Sequence, residues 1–164
     1  MQQAGINPSE RPVIKAALDK EALTNGPAVA IQLTNGQIIT GKTSSLLGAS
    51  SAALINALKV LANIPDQIDL ISPVYIKPIQ ALKVGHLKNK NPLLHIDELL
   101  IALTIASTRN ENAKNALECL HLLNGAEAHS SVILSQIDQN NMKKLGIRLS
   151  CEPKYQTKQL YHPK

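Results

Sequence analysis

Residues 46–62, LLGASSAALINALKVLA, form the longest apolar run in the chain, interrupted only by polar Ser50, Ser51, Asn56 and Lys59. The run predicts a helix that is apolar almost all the way round. Such a helix has no face to offer to water and must be buried on several sides, by other layers or by a partner chain. Its polar interruptions rule out a membrane span. The chain therefore needs an architecture with a covered interior helix.

The segments on either side supply it. NPSERP is rich in turn formers, and Val13 to Leu23 reads as a short helix stopped by Asn25-Gly26-Pro27. AVAIQL (28–33) is β-like, with Val29, Ile31 and Leu33 on one face. Asn35-Gly36 predicts a two-residue type I′ hairpin returning through QIIT (37–40). QIDLIS (67–72) predicts a further strand, Pro73 to Leu82 a short helix, and LKNKNP (87–92) a polar loop. HIDELLIALTIAS (95–107) is a second largely apolar helix, followed by an amphipathic one from Asn112 to Leu123 that stops at Asn124-Gly125. AHSSVILS (128–135) predicts a strand, Asp138 caps a helix to Leu145-Gly146, and IRLSC (147–151) is the last strand. Alternation of this kind predicts an α/β protein: a mixed sheet between two helical layers, a three-layer α/β/α sandwich.

With 164 residues the chain fits one domain: a helical lead-in (1–26), an α/β core (27–151) and a basic tail (152–164). It has no Phe and no Trp, so the core must be aliphatic, and base-stacking recognition of nucleic acid lacks its platforms. The net charge of +5 comes wholly from residues 143–164, where Lys143, Lys144, Arg148, Lys154, Lys158 and Lys164 face Glu152 alone. That end reads either as a solvated basic face or as a segment facing an anion or partner, with Lys154, Tyr155 and Tyr161 as contacts. Cys119 and Cys151 match no metal spacing and no disulfide framework. The opening MQQAGINPSERP has no charged-then-apolar signal pattern, which predicts a cytoplasmic protein.

Three clusters are candidates for chemistry. Gly36, Gly41, Lys42 and Thr43 fit G-x-x-x-x-G-K-[ST], but the intervening Gln-Ile-Ile-Thr prefers extended backbone and Gly36 belongs to a turn. The stretch therefore reads as a hairpin that spells a phosphate loop. A smaller anion site remains open at Gly41, Lys42, Thr43, Ser44 and Ser45, against hydroxyls that merely cap the helix. His95, Asp97 and Glu98 open the second apolar helix, as dipole-complementing residues or as an acid–base set. Glu127, His129 and Ser131 alternate onto one strand face beside Ser130, either as a hydrogen-bonded interior or as a His–Ser pair near an anion.

Five segments, GKTSSLLGASSAALINALK, LISP…IKPIQALK, NKNPLLHIDELLIAL, AEAHSSVILSQID and KLGIRLSCEPKYQTKQLYH, resemble the end of a bacterial family known as domain of unknown function 1846. The similarity runs from QQAGINPSERPVI to the final LYH. It implies that the chain corresponds to the C-terminal domain of relatives roughly three times longer. Their N-terminal part carries a glycine-rich, phosphate-loop-like stretch with no counterpart here. It further implies a fold similar to cytidine deaminase. Zinc deaminases need H-x-E or C-x-E on the first buried helix and P-C-x-x-C at the next. Here those places read LGASSAALINAL and SPVYIKPI, so the resemblance extends to architecture and not to zinc chemistry.

The sequence therefore predicts an assembly domain that completes a larger protein's site, with a homo-oligomer or the missing N-terminal domain as partner. The other reading is a binder of a phosphate-containing small molecule, with proton transfer from His95, Asp97, Glu98 and His129. Specific nucleic-acid binding is not expected from one cluster of cations. Neither a cofactor nor a metal site is indicated.

Overall fold

The computed structural model describes residues 11–155. Arg11 caps helix α1 (Pro12–Thr24), which starts on a proline that needs no amide partner and ends where Asn25 turns left-handed at φ 58°. Strand β1 (Ala28–Gln32) pairs antiparallel with β2 (Ile38–Lys42). The hairpin is as predicted, but its turn is not type I′. Gly36 N–H closes a turn onto the Leu33 carbonyl, and Gly36 alone in the turn has positive φ, at 91°. The loop thus spans Thr34-Asn35-Gly36, the longer hairpin form that carries a glycine bulge.

Helix α2 (Ala49–Leu61) begins three residues later than its hydropathy predicts. Leu46 is a bend and Leu47 an isolated bridge residue instead, with the Leu46 carbonyl accepting Leu94 N–H and Leu47 bridging Leu94 in parallel. QIDLIS forms turns and bends rather than a strand. Leu70 and Ile71 are buried, but no strand among the described residues lies beside them to complete a ladder, and the Asp66 carbonyl takes a bond from Lys59 Nζ at 2.9 Å.

Helix α3 (Pro73–Ala81) is capped by Ser72 and continues into one π-helical turn, Leu82–His86. Helices α4 (Ile96–Ala106) and α5 (Glu111–Glu118) follow, and Leu120–Leu123 is a 3₁₀ turn. Strand β3 (Glu127–Ser130) stops well short of the predicted Ser135, because Ala28 N–H bonds the Ser131 side-chain Oγ in place of its carbonyl and Ser130 Oγ closes a tight turn with Val132. Helix α6 (Gln136–Lys144) connects it to the parallel β4 (Arg148–Cys151). The cap of α6 is Ser135, whose hydroxyl accepts Asp138 N–H, and not Asp138 itself.

The sheet is mixed, in the order β2-β1-β3-β4. On one face α1 packs Val13, Ile14 and Ala17 over Ala30. On the other, Val29, Ile31 and Ile39 meet α2 and, behind it, α4, α5 and α6. The protein is therefore α/β with helices on both faces of a four-stranded mixed sheet. Its core is aliphatic, as the absence of Phe and Trp demands: Ile31, Leu54, Leu58, Leu94, Leu99 and Leu103 are all fully buried. Each contributes about 1.5–3 kcal/mol relative to exposure.

Gly41 fixes how α2 lies on the sheet. A Cβ built there would come within 2.5 Å of the Ala53 Cα and 2.6 Å of the Ala52 carbonyl carbon. Only a glycine facing small helical residues lets the two backbones approach so closely. No helix among the described residues is long and apolar enough to cross a membrane.

Candidate functional site

The N-terminal turns of α2, α4 and α6 meet beside the Leu47–Leu94 bridge, and a buried carboxylate joins them. Asp138 Oδ1 accepts Ile96 N–H at 2.9 Å, and Oδ2 accepts the Ser50 hydroxyl at 2.8 Å. His95 Nδ1 stands 3.5 Å from the same Oδ2, at the outer limit of a hydrogen bond. The Asp138 side chain is only 8% exposed, whereas the imidazole is 23% exposed.

Each position follows from local sequence. Ser135 starts α6 and so places Asp138 in its first turn, where a carboxylate complements the helix dipole. Glu98 Oε1 reaches back to His95 N–H at 2.9 Å and holds His95 as the cap of α4. Lys83, buried in the π turn, donates to Glu98 Oε1 at 2.7 Å and to the Leu93 carbonyl at 2.6 Å. The π turn is thereby clamped to the start of α4.

Electrostatics favour the charged form of both groups. The bond to Asp138 raises the His95 pKa above its ordinary 6.5, against the opposing effects of burial and of Lys83. Burial pushes the Asp138 pKa up, but the bonds from His95, Ile96 N–H and Ser50 outweigh it and hold the carboxyl below its ordinary 3.8. His95, Asp138, Ser50, Thr43 and Asn91 line one cleft, whose cavity is only about 40 Å³.

Of the other residues that the sequence singles out, Gly41 is the buried spacer between β2 and α2, and Lys42 ends β2 in solvent. Thr43 N–H donates to the Pro27 carbonyl and Ser44 N–H to that of Leu47. Ser44 Oγ accepts Leu46 and Leu47 N–H, and the Ser45 carbonyl accepts Gln80 Nε2. Asp97 is exposed and accepts its neighbour's amide, that of Glu98. His129 is buried in β3 with partners of its own: Nδ1 with Ser150 Oγ and Nε2 with Glu152 Oε2, both at 2.7 Å. Ser130 serves the turn to Val132, and Ser131 Oγ accepts Ala28 N–H. Lys154 Nζ reaches Glu21 at 2.9 Å and Tyr155 is exposed; Tyr161 lies outside the described residues.

The structure thus gathers His95 and Thr43 into one cleft, and adds Ser50 and Asp138, which sequence reasoning did not select. A signal for Asp138 existed in Ser135-x-x-Asp138, a capping spacing that places the acid inside the first turn. Nothing local marked Ser50, whose partner is 88 residues away.

A family model described as "Domain of unknown function DUF1846, C-terminal" matches residues 9–161. The chain belongs to this family. Among the relatives of this DUF1846 C-terminal domain, a "UPF0371 protein" of Streptococcus sanguinis (strain SK36) is 48% identical over 98% of the chain. "UPF0371 protein CE2832" of Corynebacterium efficiens is also 48% identical over 98% of the chain, and a "UPF0371 protein" of Streptococcus pneumoniae (strain P1031) is 49% identical over the same share. The match covers 33%, 32% and 33% of these relatives, so the DUF1846 C-terminal domain spans about a third of their length.

Proposed function

We propose that this domain is an assembly module: it docks on the rest of a longer protein and helps to close a site around the His95 cleft. The observation that carries this reading is the π turn beside that cleft. Lys83 is buried and anchored to Glu98 and Leu93, while its neighbours Leu82, Val84 and Leu87 are 48%, 45% and 60% exposed. Val74 and Tyr75 on α3 are exposed as well. Apolar side chains held out on a clamped element are costly in water and suit a surface that a partner covers. A cleft of this size, with a mouth open to solvent, does not enclose a substrate by itself.

The partner in this reading is the remaining two-thirds of such relatives. The order hairpin, buried helix and covered sheet also supports placing the domain with cytidine-deaminase-like sandwiches that lack the zinc ligands. Free Cys119 and Cys151 suit a reducing cytoplasm.

Mixing the domain with the separately expressed remainder of a full-length relative tests the proposal. Light scattering is expected to show a complex, and Leu87→Asp to weaken it at least tenfold, which corresponds to about 1.4 kcal/mol. Absence of a complex, or one that is indifferent to Leu87→Asp, contradicts the proposal. A stable homo-oligomer lost with Leu87→Asp would assign the face to a second copy instead.

A further inference from the structure

Asp138 is fixed by two bonds that do not involve His95: one from α2 through Ser50 and one from α4 through Ile96. A carboxylate anchored from both sides and nearly removed from water favours a cation beside it, and His95, when protonated, is placed to be one. The groups facing the imidazole are few. Asp138 comes from α6, Glu98 from its own helix, Lys83 from the π turn and neutral Ser50 from α2. Lys83 Nζ is already committed to Glu98 and to the Leu93 carbonyl.

The ring is thus held at one nitrogen and open at the other. Nδ1 faces Asp138, and no described residue bonds Nε2. A carboxylate at Nδ1 keeps the proton on that nitrogen when the ring is neutral and leaves Nε2 to exchange a proton with whatever stands before it. His129 makes the contrast within the same molecule. Both its nitrogens are occupied, by Ser150 and Glu152, and its side chain is 4% exposed, which is the arrangement of a structural histidine.

We propose that His95 is a proton-transfer group for a small oxyanion-bearing ligand in this cleft, with Asp138 as its positioning residue. The cationic ring attracts a carboxylate or phosphate oxygen. Nε2–H hydrogen-bonds that oxygen and, where the oxygen is as basic as that of a phosphate dianion, passes its proton to it. This leaves a phosphate monoanion and a neutral ring protonated at Nδ1, and solvent returns the proton to the ring. Thr43 and Asn91 supply further polar lining, and Ile133 lies on the aliphatic side. The raised affinity of His95 for its proton agrees with this geometry. The proposal rests on the assembly reading only for closure of the cleft.

The test uses the chain with ¹⁵N-labelled histidine and follows the ring nitrogens by NMR. At high pH the neutral His95 ring is expected to carry its proton on Nδ1, and Asp138→Asn is expected to lower its titration midpoint and mix the tautomers. At pH ~6, inorganic phosphate or acetate is expected to shift Nε2 saturably, whichever anion is preferred identifying the ligand's chemistry. The amide shifts around the cleft are expected to vanish in His95→Gln, while the rest of the amide spectrum stays folded. A proton on Nε2 at high pH, no saturable shift with either anion, or shifts that persist in His95→Gln each overturn the proposal. Association with the remainder of the longer protein is read separately by light scattering, so failure of one claim is distinguishable from failure of the other.

Discussion

The carboxylate of Asp138, in the first turn of α6, accepts the backbone N–H of Ile96, the first residue of α4, at 2.9 Å. One side chain therefore satisfies a helix end that lies 42 residues away in the chain and, through Ser50, ties α2 to the same point. Asp138→Ala leaves a buried amide and a buried hydroxyl without an acceptor. The expected loss is ~3 kcal/mol in urea unfolding, since each orphaned buried group costs ~1–3 kcal/mol. A loss under ~1 kcal/mol would show that the three helix ends do not depend on this residue.

The same pair sets a pH window. Asp138 has a lowered pKa, so its contribution is present above the ordinary 3.8 and fades as pH falls through its folded value. His95 has a raised pKa, so its contribution is present below 6.5 and fades as pH rises through its folded value. Stability from the pair is thus fullest between 3.8 and 6.5. Urea midpoints across pH are expected to fall on both sides of that window in the natural protein. His95→Gln should remove the alkaline fall, and an unchanged alkaline limb would sever His95 from it.

Lys83 is the clamp between the π turn and α4. Lys83→Met removes the cation from Glu98, whose side chain is 26% exposed and therefore partly screened. The expected cost is ~2 kcal/mol, below the range for wholly buried pairs. Hydrogen exchange should quicken locally at Leu87 and His95. Uniform acceleration across the sheet instead would indicate global rather than local loosening.

Two glycines near the same helix predict outcomes of very different size. Gly41→Ala drives a methyl into the backbone of Ala52 and Ala53, which cannot move aside as a side chain can. The expected destabilisation is ~3 kcal/mol, at the upper end for overpacking. At Gly48, the cap of α2, the nearest atom to an added Cβ is the Leu94 carbonyl oxygen at 3.8 Å, an ordinary contact. Gly48→Ala is expected to cost only ~0.5 kcal/mol. Thermal melts of the two variants check the contrast, and equal midpoints would refute the close packing of β2 on α2.

Local patterns in the sequence carried the elements whose causes are local. Asn25-Gly26-Pro27 ends α1, alternation marks β1, and the apolar run of α2 demands the cover it receives on both sides. Errors arose where distant partners decide. QIDLIS has strand-like composition, but no described strand lies beside it, and the predicted strand ends at Ser131 because its Oγ takes the Ala28 amide and Ser130 turns the chain onto Val132. Leu46 and Leu47 suit a helix by hydropathy, yet Leu94 draws them into a bend and a parallel bridge. The candidate site divides in the same way. His95 and Glu98 stand out through their spacing at a helix start, whereas Asp138 and Ser50 gain their meaning only from the fold that unites three helix ends.

The most direct test of the assembly account is amide hydrogen exchange compared between this domain alone and the full-length family protein. Residues 82–98, which span the π turn and the start of α4, are expected to exchange at least tenfold more slowly in the longer protein. Strands β1 and β3, already covered on both faces, are expected to change little. Equal exchange of residues 82–98 in the two forms would contradict the claim that this surface is what the rest of the protein covers.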